Sequence, residues 1–516
     1  MTAAAAADGW QVGQVKHRGL VTVSIMLATV MQALDTTIAN IALPHMQGAL
    51  SAAQDQISWV LTSYIVAAAV TTPLTGWLAG RYGRKRLFLA SVAGFTAASL
   101  LCGIAQSLTQ IVLYRLMQGV FGAALVPLSQ AVLLDINPRE KHGSAMAIWG
   151  AGIMIGPILG PTIGGWLTDN YSWRWVFYIN LPVGILAFAG IMAFVSETAR
   201  NRARPFDLFG FAMLGLGVGA LQMMLDRGEQ QDWFGSTEIW IELGLAITGF
   251  WVFLVHSATA EHPFVSLAIF KDRNFVSGCI MIFLLGVMLY GTLALLPPLL
   301  QQLMDYPVVT AGNVMAPRGI ATMVAMLLIG RFAGKIDLRL VILAGLLSAA
   351  YSLWEMTEYS LAMGMGPIII ASLWQGAGTG LVFPPLSTVS FATLAPTLRT
   401  EAAGLFSLVR NIGGSIGISI VENVLAEMTQ ANHATLAAHA STFNRALGQP
   451  AVQEFWNLHS TAGLAALNAE ITRQAAMIGY LDDFKLMMYV TLAMIPFLLL
   501  LRNAAPRKDA APVALD

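Results

Sequence analysis

Apolar runs of about twenty residues alternate with short polar connectors along almost the whole chain. They lie near 19–43, 58–79, 87–106, 108–134, 144–168, 174–196 and 207–225, and then near 237–257, 274–300, 311–330, 338–358, 366–393, 401–424 and 484–502. A helix rises about 1.5 Å per residue and a hydrocarbon core is about 30 Å thick, so each run is long enough to cross a bilayer. The pattern therefore predicts an all-α membrane protein with fourteen spans. The ninth run closes on Pro297–Pro298.

Composition agrees with this pattern. Of the 516 residues, 56% are hydrophobic and only 11% charged, whereas a soluble domain carries about 25% charged residues. Zero net charge argues against a nucleic-acid partner. Cys102 and Cys279 both fall inside apolar runs and read as small buried residues, not as a disulfide or metal pair. The first run continues through Asp35 to Pro44 without a cleavage site, so it is expected to be retained as a span.

Lys and Arg set the direction. With the N-terminus inside, twenty of them fall in inner connectors and tails, among them Arg81, Arg84, Lys85, Arg86, Arg200, Lys271, Arg331, Arg339, Arg399 and Arg502. The outer side holds four: Arg174, Arg227, Arg445 and Arg473. Both termini are thus expected in the cytoplasm. One missed span would have scrambled the alternation. The segment 425–483 is polar to moderately apolar, lies outside, and reads as helix from Ala462 to Phe484. It is either a solvated linker or surface helical hairpin, or a docking surface for an external partner.

The chain also contains a faint copy of itself. Gln118–Gly119 with Pro127 recurs as Gln375–Gly376 with Pro384, and Gly76-Trp-Leu-Ala-Gly-Arg81 recurs as Gly330-Arg-Phe-Ala-Gly-Lys335. These offsets set spans 1–6 against spans 9–14 and leave spans 7 and 8 as an insert. Parallel six-helix repeats around a midplane site are a common transporter design. The expected organisation is a cytoplasmic tail at 1–18, a six-helix bundle at 19–196 and two inserted helices at 207–257. A second bundle follows at 274–502, with a large periplasmic loop at 425–483 and a cytoplasmic tail at 503–516.

Several buried polar residues interrupt the apolar runs. Asp35 lies roughly 22 Å along the first span from its inner end, at 1.5 Å per residue. An ionised Asp in hydrocarbon costs at least about 2.5 kcal/mol, so it must face the bundle interior. A carboxyl balanced between burial, which disfavours its ion, and a nearby cation, which favours it, is able to bind and release protons. The alternative is a packing residue satisfied by Thr36 or Asn40. Arg115 in the fourth span lies at a similar depth, so the two are able to meet; it would tune the carboxyl or grip an anion, or form a static ion pair. Gly152, Gly156, Gly160 and Gly164 recur every four residues in the fifth span beside Pro157, Pro161 and Gly165. Such a stripe lets another helix approach closely, as a sliding surface or as tight packing. Gly76, Arg81, Gly83 and Arg84 form a turn with basic anchors, or a conformational latch. In the second half, Arg318 and Glu355 fall at similar depth and are expected to pair. Arg410–Asn411 lies nearer the middle as a substrate or gating contact, with Asn40 and Gln118 as further candidates.

At these residues the chain resembles the major facilitator superfamily, and within it the fourteen-span drug:proton antiporters of the EmrB multidrug-exporter type. The likeness covers essentially the whole chain. It is carried by Leu34–Pro44, by Arg115 with Gln118–Gly119, by Gly152–Gly165, by Trp173–Gly184 and by Leu225–Phe234. The resemblance implies the major facilitator fold, with two six-helix bundles and two inserted helices, in the inner membrane. It also implies Asp35 and Arg115 in proton coupling and the glycine stripe in exchange. The implied partners are hydrophobic substrates, an EmrA-like periplasmic adaptor and a TolC-like outer-membrane channel. In one respect the chain departs from the family: Gly80 stands where the superfamily loop motif carries an acid, which favours the basic-anchor reading.

The expected function is proton-coupled export of hydrophobic or amphipathic compounds, with the proton gradient as energy source and no cofactor. Alternatives are export of one endogenous compound, such as a fatty acid or siderophore, and proton-coupled import. An enzyme is disfavoured. The eight histidines lie mostly at ends and loops, and neither a His-Glu-x-x-His pattern nor a Gly-Lys-Ser/Thr phosphate loop occurs.

Overall fold

The computed structural model describes residues 17–138, 141–198, 205–332, 336–395, 398–440, 444–445, 447 and 449–501. The expected terminal tails apart from His17 and Arg18, together with Arg139, Arg200, Arg202, Arg204, Lys335 and Arg502, and the side chains of Pro157 and Pro161, lie outside this description.

Backbone polar groups find no partners in hydrocarbon, so a crossing chain closes its hydrogen bonds within helices. Among the described residues, thirteen helices are long and apolar enough to cross a membrane, and a bent pair supplies a fourteenth span. Spans 1 to 7 are Arg18–Asn40, Trp59–Thr71 with Leu74–Tyr82, Arg84–Ile104, Leu108–Ile136, His142–Asn170, Trp175–Phe194 and Leu208–Arg227. Spans 8 to 14 are Thr237–Thr259, Arg273–Leu303, Thr310–Phe332, Leu338–Met356, Met365–Ala392, Arg399–Ala438 and Thr461–Leu500. Span 2, expected as one helix, bends by 58°. Pro73 sits at the break, where it supplies no N–H and crowds the preceding turn. Polar caps start several spans: Asp207, Asp272, Asp337 and Ser460 each accept a backbone N–H from the first turn. Large apolar side chains cover the outside, with Ile185 63% and Trp251 68% exposed.

The repeat is visible in the packing. Span 1 packs on 5 and 6, span 4 on 2 and 3, and span 3 on 6. Correspondingly, span 9 packs on 13 and 14, span 12 on 10 and 11, and span 11 on 14. Spans 7 and 8 pack on each other. Span 7 also lies against both spans 2 and 13, where Thr62 donates to Asp226 and Ser415 Oγ donates to Gln222 Oε1 at 2.8 Å.

The two halves meet mainly at the end that carries Arg84 and Arg399, called here the basic end. The contacts join Leu74–Tyr82 and Leu125–Ile136 to span 13, and His142–Ile153 to spans 10 and 12. At the far end, helices 13 and 14 run on beyond the membrane. The first continues to Ala438 and the second begins at Thr461, so most of 425–483 is a helical hairpin.

Candidate functional site

Asp35 sits in a closed polar cluster built by spans 1, 2, 4 and 6. Its Oδ2 accepts from Arg115 Nη1 at 2.6 Å, and its Oδ1 accepts from Gln118 Nε2 at 2.8 Å and Asn180 Nδ2 at 2.7 Å. Asp35 and Arg115 are each 1% exposed. Arg115 also donates to Gln118 Oε1 at 2.8 Å and, through Nε, to the Val60 carbonyl at 3.1 Å. Its guanidinium lies over the rings of Tyr64 at 4.5 Å and Phe177 at 5.7 Å. A charge pair this deep is tolerable because both carboxylate oxygens and three guanidinium N–H groups are hydrogen-bonded. Asn180 links the cluster onward, donating to Ser99 Oγ at 2.9 Å.

Asp35 and Arg115, at similar depth by their positions in the chain, are in direct contact. The alternative of Thr36 or Asn40 as the partner of Asp35 is not what forms. Thr36 Oγ1 donates to the Ala33 carbonyl, and Asn40, five residues on and about 140° round the helix, is exposed. Sequence reading left Asn180 out of the site. Its one signal is a lone amide within the apolar run Phe177–Val183.

The glycine stripe lies against the same stretch of span 1. A Cβ on Gly156 would lie 2.7 Å from the Ala33 backbone, on Gly160 it would strike Thr37, and on Gly164 it would press on Ile38 at 3.1 Å. Gly152 faces Met26. Thr37 Oγ1 donates to the Gly156 carbonyl at 3.2 Å. The stripe therefore brings the span 5 backbone against the turn that carries Asp35. Gly165, a third of a turn off the stripe, has nothing within 4 Å. The opposite face of span 5 meets the other half: Gly150 lies near Met326, and Ile158 fills the space beside Gly319.

At the basic end, Asp135 of span 4 bridges two arginines. One is Arg84, the first residue of span 3; the other is Arg399, the first residue of span 13, at 3.3 Å. Gly76 allows the approach, since a Cβ there would lie 2.8 Å from the Glu401 Cα. Gly83 takes φ 92°, a left-handed turn that favours glycine, and a Cβ there would collide with the Glu197 carboxylate. Arg81 lies over the Trp77 ring at 5.9 Å. The carboxylate missing at Gly80 therefore has a counterpart in Asp135, from another span.

The second half corrects one expectation. Arg318 and Glu355 do not pair: Arg318 Nη2 donates to Thr292 Oγ1 at 3.2 Å, and the Glu355 Oε2 atom is buried without a partner. Spans 10 and 11 each pack on span 12, which stands between them. Arg410 lies over Phe383 at 5.9 Å and donates to Asn411 Oδ1 at 3.4 Å. Phe383 stacks on Trp149 of span 5 at 6.1 Å, so this group spans the two halves. The string Gly413-Gly-Ser-Ile-Gly417 has the spelling of a hydrolase nucleophile turn. It lies inside continuous helix, and Ser415 is engaged with Gln222 and the Asn411 carbonyl.

Two parallel six-helix repeats, an inserted pair and a buried ion pair in the first repeat define a multi-span membrane transporter. The chain belongs to the Major Facilitator Superfamily, whose family profile matches residues 25–418. It is 40% identical over 469 residues to the fatty acid resistance protein FarB of Neisseria gonorrhoeae, covering 90% of this chain and 92% of that one. It is 38% identical over 427 residues to the multidrug export protein EmrB of Escherichia coli K12, covering 82% and 83%. Among solved structures, the human organic anion transporter MFSD10 shares the fold at TM-score 0.60 and 14% identity, over 92% of this chain and 99% of that one. The proton:xylose symporter XylE matches at TM-score 0.57 and 14% identity, over 91% and 95%.

Proposed function

We propose that this protein is a proton-coupled antiporter of the inner membrane, exporting hydrophobic or amphipathic compounds from the cytoplasm. The observation that carries the reading is Asp35, held by Arg115, Gln118 and Asn180, on the turn of span 1 against which the glycine stripe packs. A proton on Asp35 removes the charge opposite Arg115 and turns an acceptor oxygen into a donor. The cluster must then rearrange, and span 1 shifts on a surface free of side chains. Span 5 passes that shift to span 10 at the seam between halves. The energy source is the proton gradient, with no cofactor.

The basic end is assigned to the cytoplasm by its excess of Lys and Arg. The conformation is then closed inward, with Asp135, Arg84 and Arg399 as the latch that opens when the halves rock. The hairpin favours a tripartite assembly. The 40-residue helix that begins span 13 extends about 60 Å, twice the hydrocarbon core. Its projecting part, with Phe455 71% exposed nearby, offers a surface to an EmrA-like adaptor and thereby to a TolC-like channel. A second reading is export of one endogenous amphipathic compound such as a fatty acid, favoured by the similarity to FarB.

Purified protein in proteoliposomes, given a panel of lipophilic acids and cations under an imposed pH gradient, tests the proposal. Uphill movement should follow the gradient and stop when it is collapsed. Movement indifferent to the gradient would exclude proton exchange.

A further inference from the structure

The two halves treat matching polar positions in opposite ways. Gln118–Gly119 and Gln375–Gly376 are repeat partners, and each glycine lies against one backbone carbonyl of the neighbouring span: Tyr64 for Gly119, Arg318 for Gly376. Arg318 thus holds in the second half the place of Tyr64 in the first. Three residues before Gln375, where the first half has Arg115, stands Ser372. Both ends of the Gln118 amide are engaged, its nitrogen by Asp35 and its oxygen by Arg115. The Gln375 amide is 0% exposed, and neither its nitrogen nor its oxygen has a partner. Ser372 Oγ, also 0% exposed, has none either, nor has Arg318 Nη1.

Helix rise sets these groups close to one level. Ser390 of span 12 abuts Gly278 of span 9. Ser372 lies on the same stripe, five turns or about 27 Å nearer the far end, with Gln375 one turn below it. Spans 9 and 12 run antiparallel, so Gln375 comes to about the level of Thr292 and Ser372 stands about one turn beyond it. There Arg318 Nη2 donates to Thr292 Oγ1 at 3.2 Å. A guanidinium, an amide and a hydroxyl therefore lie within about one turn of one another in depth, and no ion pair among the described residues involves Arg318. A buried cation lacking its counter-ion is costly, and such groups mark substrate and ion paths.

We propose that this cluster receives the anionic headgroup of an amphipathic substrate, of which a carboxylate is the simplest, in the place that Asp35 fills in the first half. Its oxygens accept from Arg318 Nη1, Gln375 Nε2 and Ser372 Oγ. Gln375 Oε1 takes a guanidinium N–H, as Gln118 Oε1 does from Arg115. Admission falls to span 9, which reaches Pro297–Pro298 and a π turn at Leu299–Leu303 just beyond Thr292. The absent N–H groups leave that end of the helix weakly braced. The proposal rests on the export reading and narrows it to substrates with an anionic head.

Dodecanesulfonate and dodecyltrimethylammonium share a tail, differ in the sign of the head, and do not cross a bilayer as neutral species. Their gradient-driven transport would be compared in proteoliposomes of wild type, R318Q, R318K and Q375L. The anion-to-cation transport ratio should fall about tenfold or more in R318Q, less in Q375L, and partly recover in R318K. An unchanged ratio in R318Q and Q375L overturns the proposal and leaves buried water as the partner of these atoms. If R318Q does not reconstitute, Q375L decides. Wild type that carries the cation but not the anion refutes this inference alone, and wild type that carries neither refutes the export reading with it.

Discussion

Replacing Asp35 by Asn removes one charge and keeps the shape. The native carboxylate accepts three N–H bonds, at 2.6, 2.8 and 2.7 Å. An Asn side chain has one acceptor oxygen, and its NH2 must face a donor whichever way it turns: Arg115 in one orientation, Gln118 and Asn180 in the other. Arg115 is then left buried without a counter-charge, and breaking such a pair from one side costs about 3–5 kcal/mol. D35N is expected to insert and stay monodisperse, to melt at lower temperature, and to lose substrate-induced proton release. The assay is a pH dye in weakly buffered solution of purified protein, read on adding substrate. The double variant D35N/R115M should recover part of the melting temperature, because it removes the stranded cation, yet still release no protons. Release at wild-type level in D35N would refute the coupling role. Strictly additive losses of stability in the double variant would refute the energetic argument.

Three further outcomes follow from the packing. G156A places a Cβ 2.7 Å from the Ala33 backbone, so gradient-driven transport should fall about tenfold, while G165A, with open space around it, should cost far less; equal effects would remove the stripe from the mechanism. D135N removes the carboxylate that Arg84 and Arg399 share at the basic end, and a cysteine introduced at Ser144, beside Gly330, should react faster with an impermeant maleimide in inverted vesicles. An unaltered rate would mean that Asp135 does not hold the closure. Shortening the hairpin within 425–483 should reduce co-purification with an EmrA-like adaptor, and an unchanged yield would leave it a connector.

Much of this architecture was legible because the signals were one-dimensional. Hydropathy and the alternation of charge count spans without any knowledge of their arrangement. Rise per residue places Asp35 and Arg115 at one depth, and their helices prove to be neighbours. The same reasoning failed for Arg318 and Glu355, because depth says nothing of which helices stand side by side. Asp135 and Arg399 are 264 positions apart, and no local pattern joins them. Asn180 was hidden differently: a single amide in an apolar run reads as incidental until the fold sets it 2.7 Å from a carboxylate. The bend in span 2 follows from Pro73, which hydropathy passes over.

The inserted pair makes the molecule lopsided toward its lipid surroundings. The halves adjoin along two lines, span 2 with span 13 and span 5 with span 10. Span 7 lies across the first and is pinned on both sides, through Asp226 to Thr62 and through Gln222 to Ser415. One of these lines is therefore overlain by span 7, whereas at the other span 5 packs directly on span 10. That second seam is framed by the helix whose glycine face packs on the turn of span 1 that carries Asp35, so the contact between the halves and the buried ion pair lie on opposite faces of one helix.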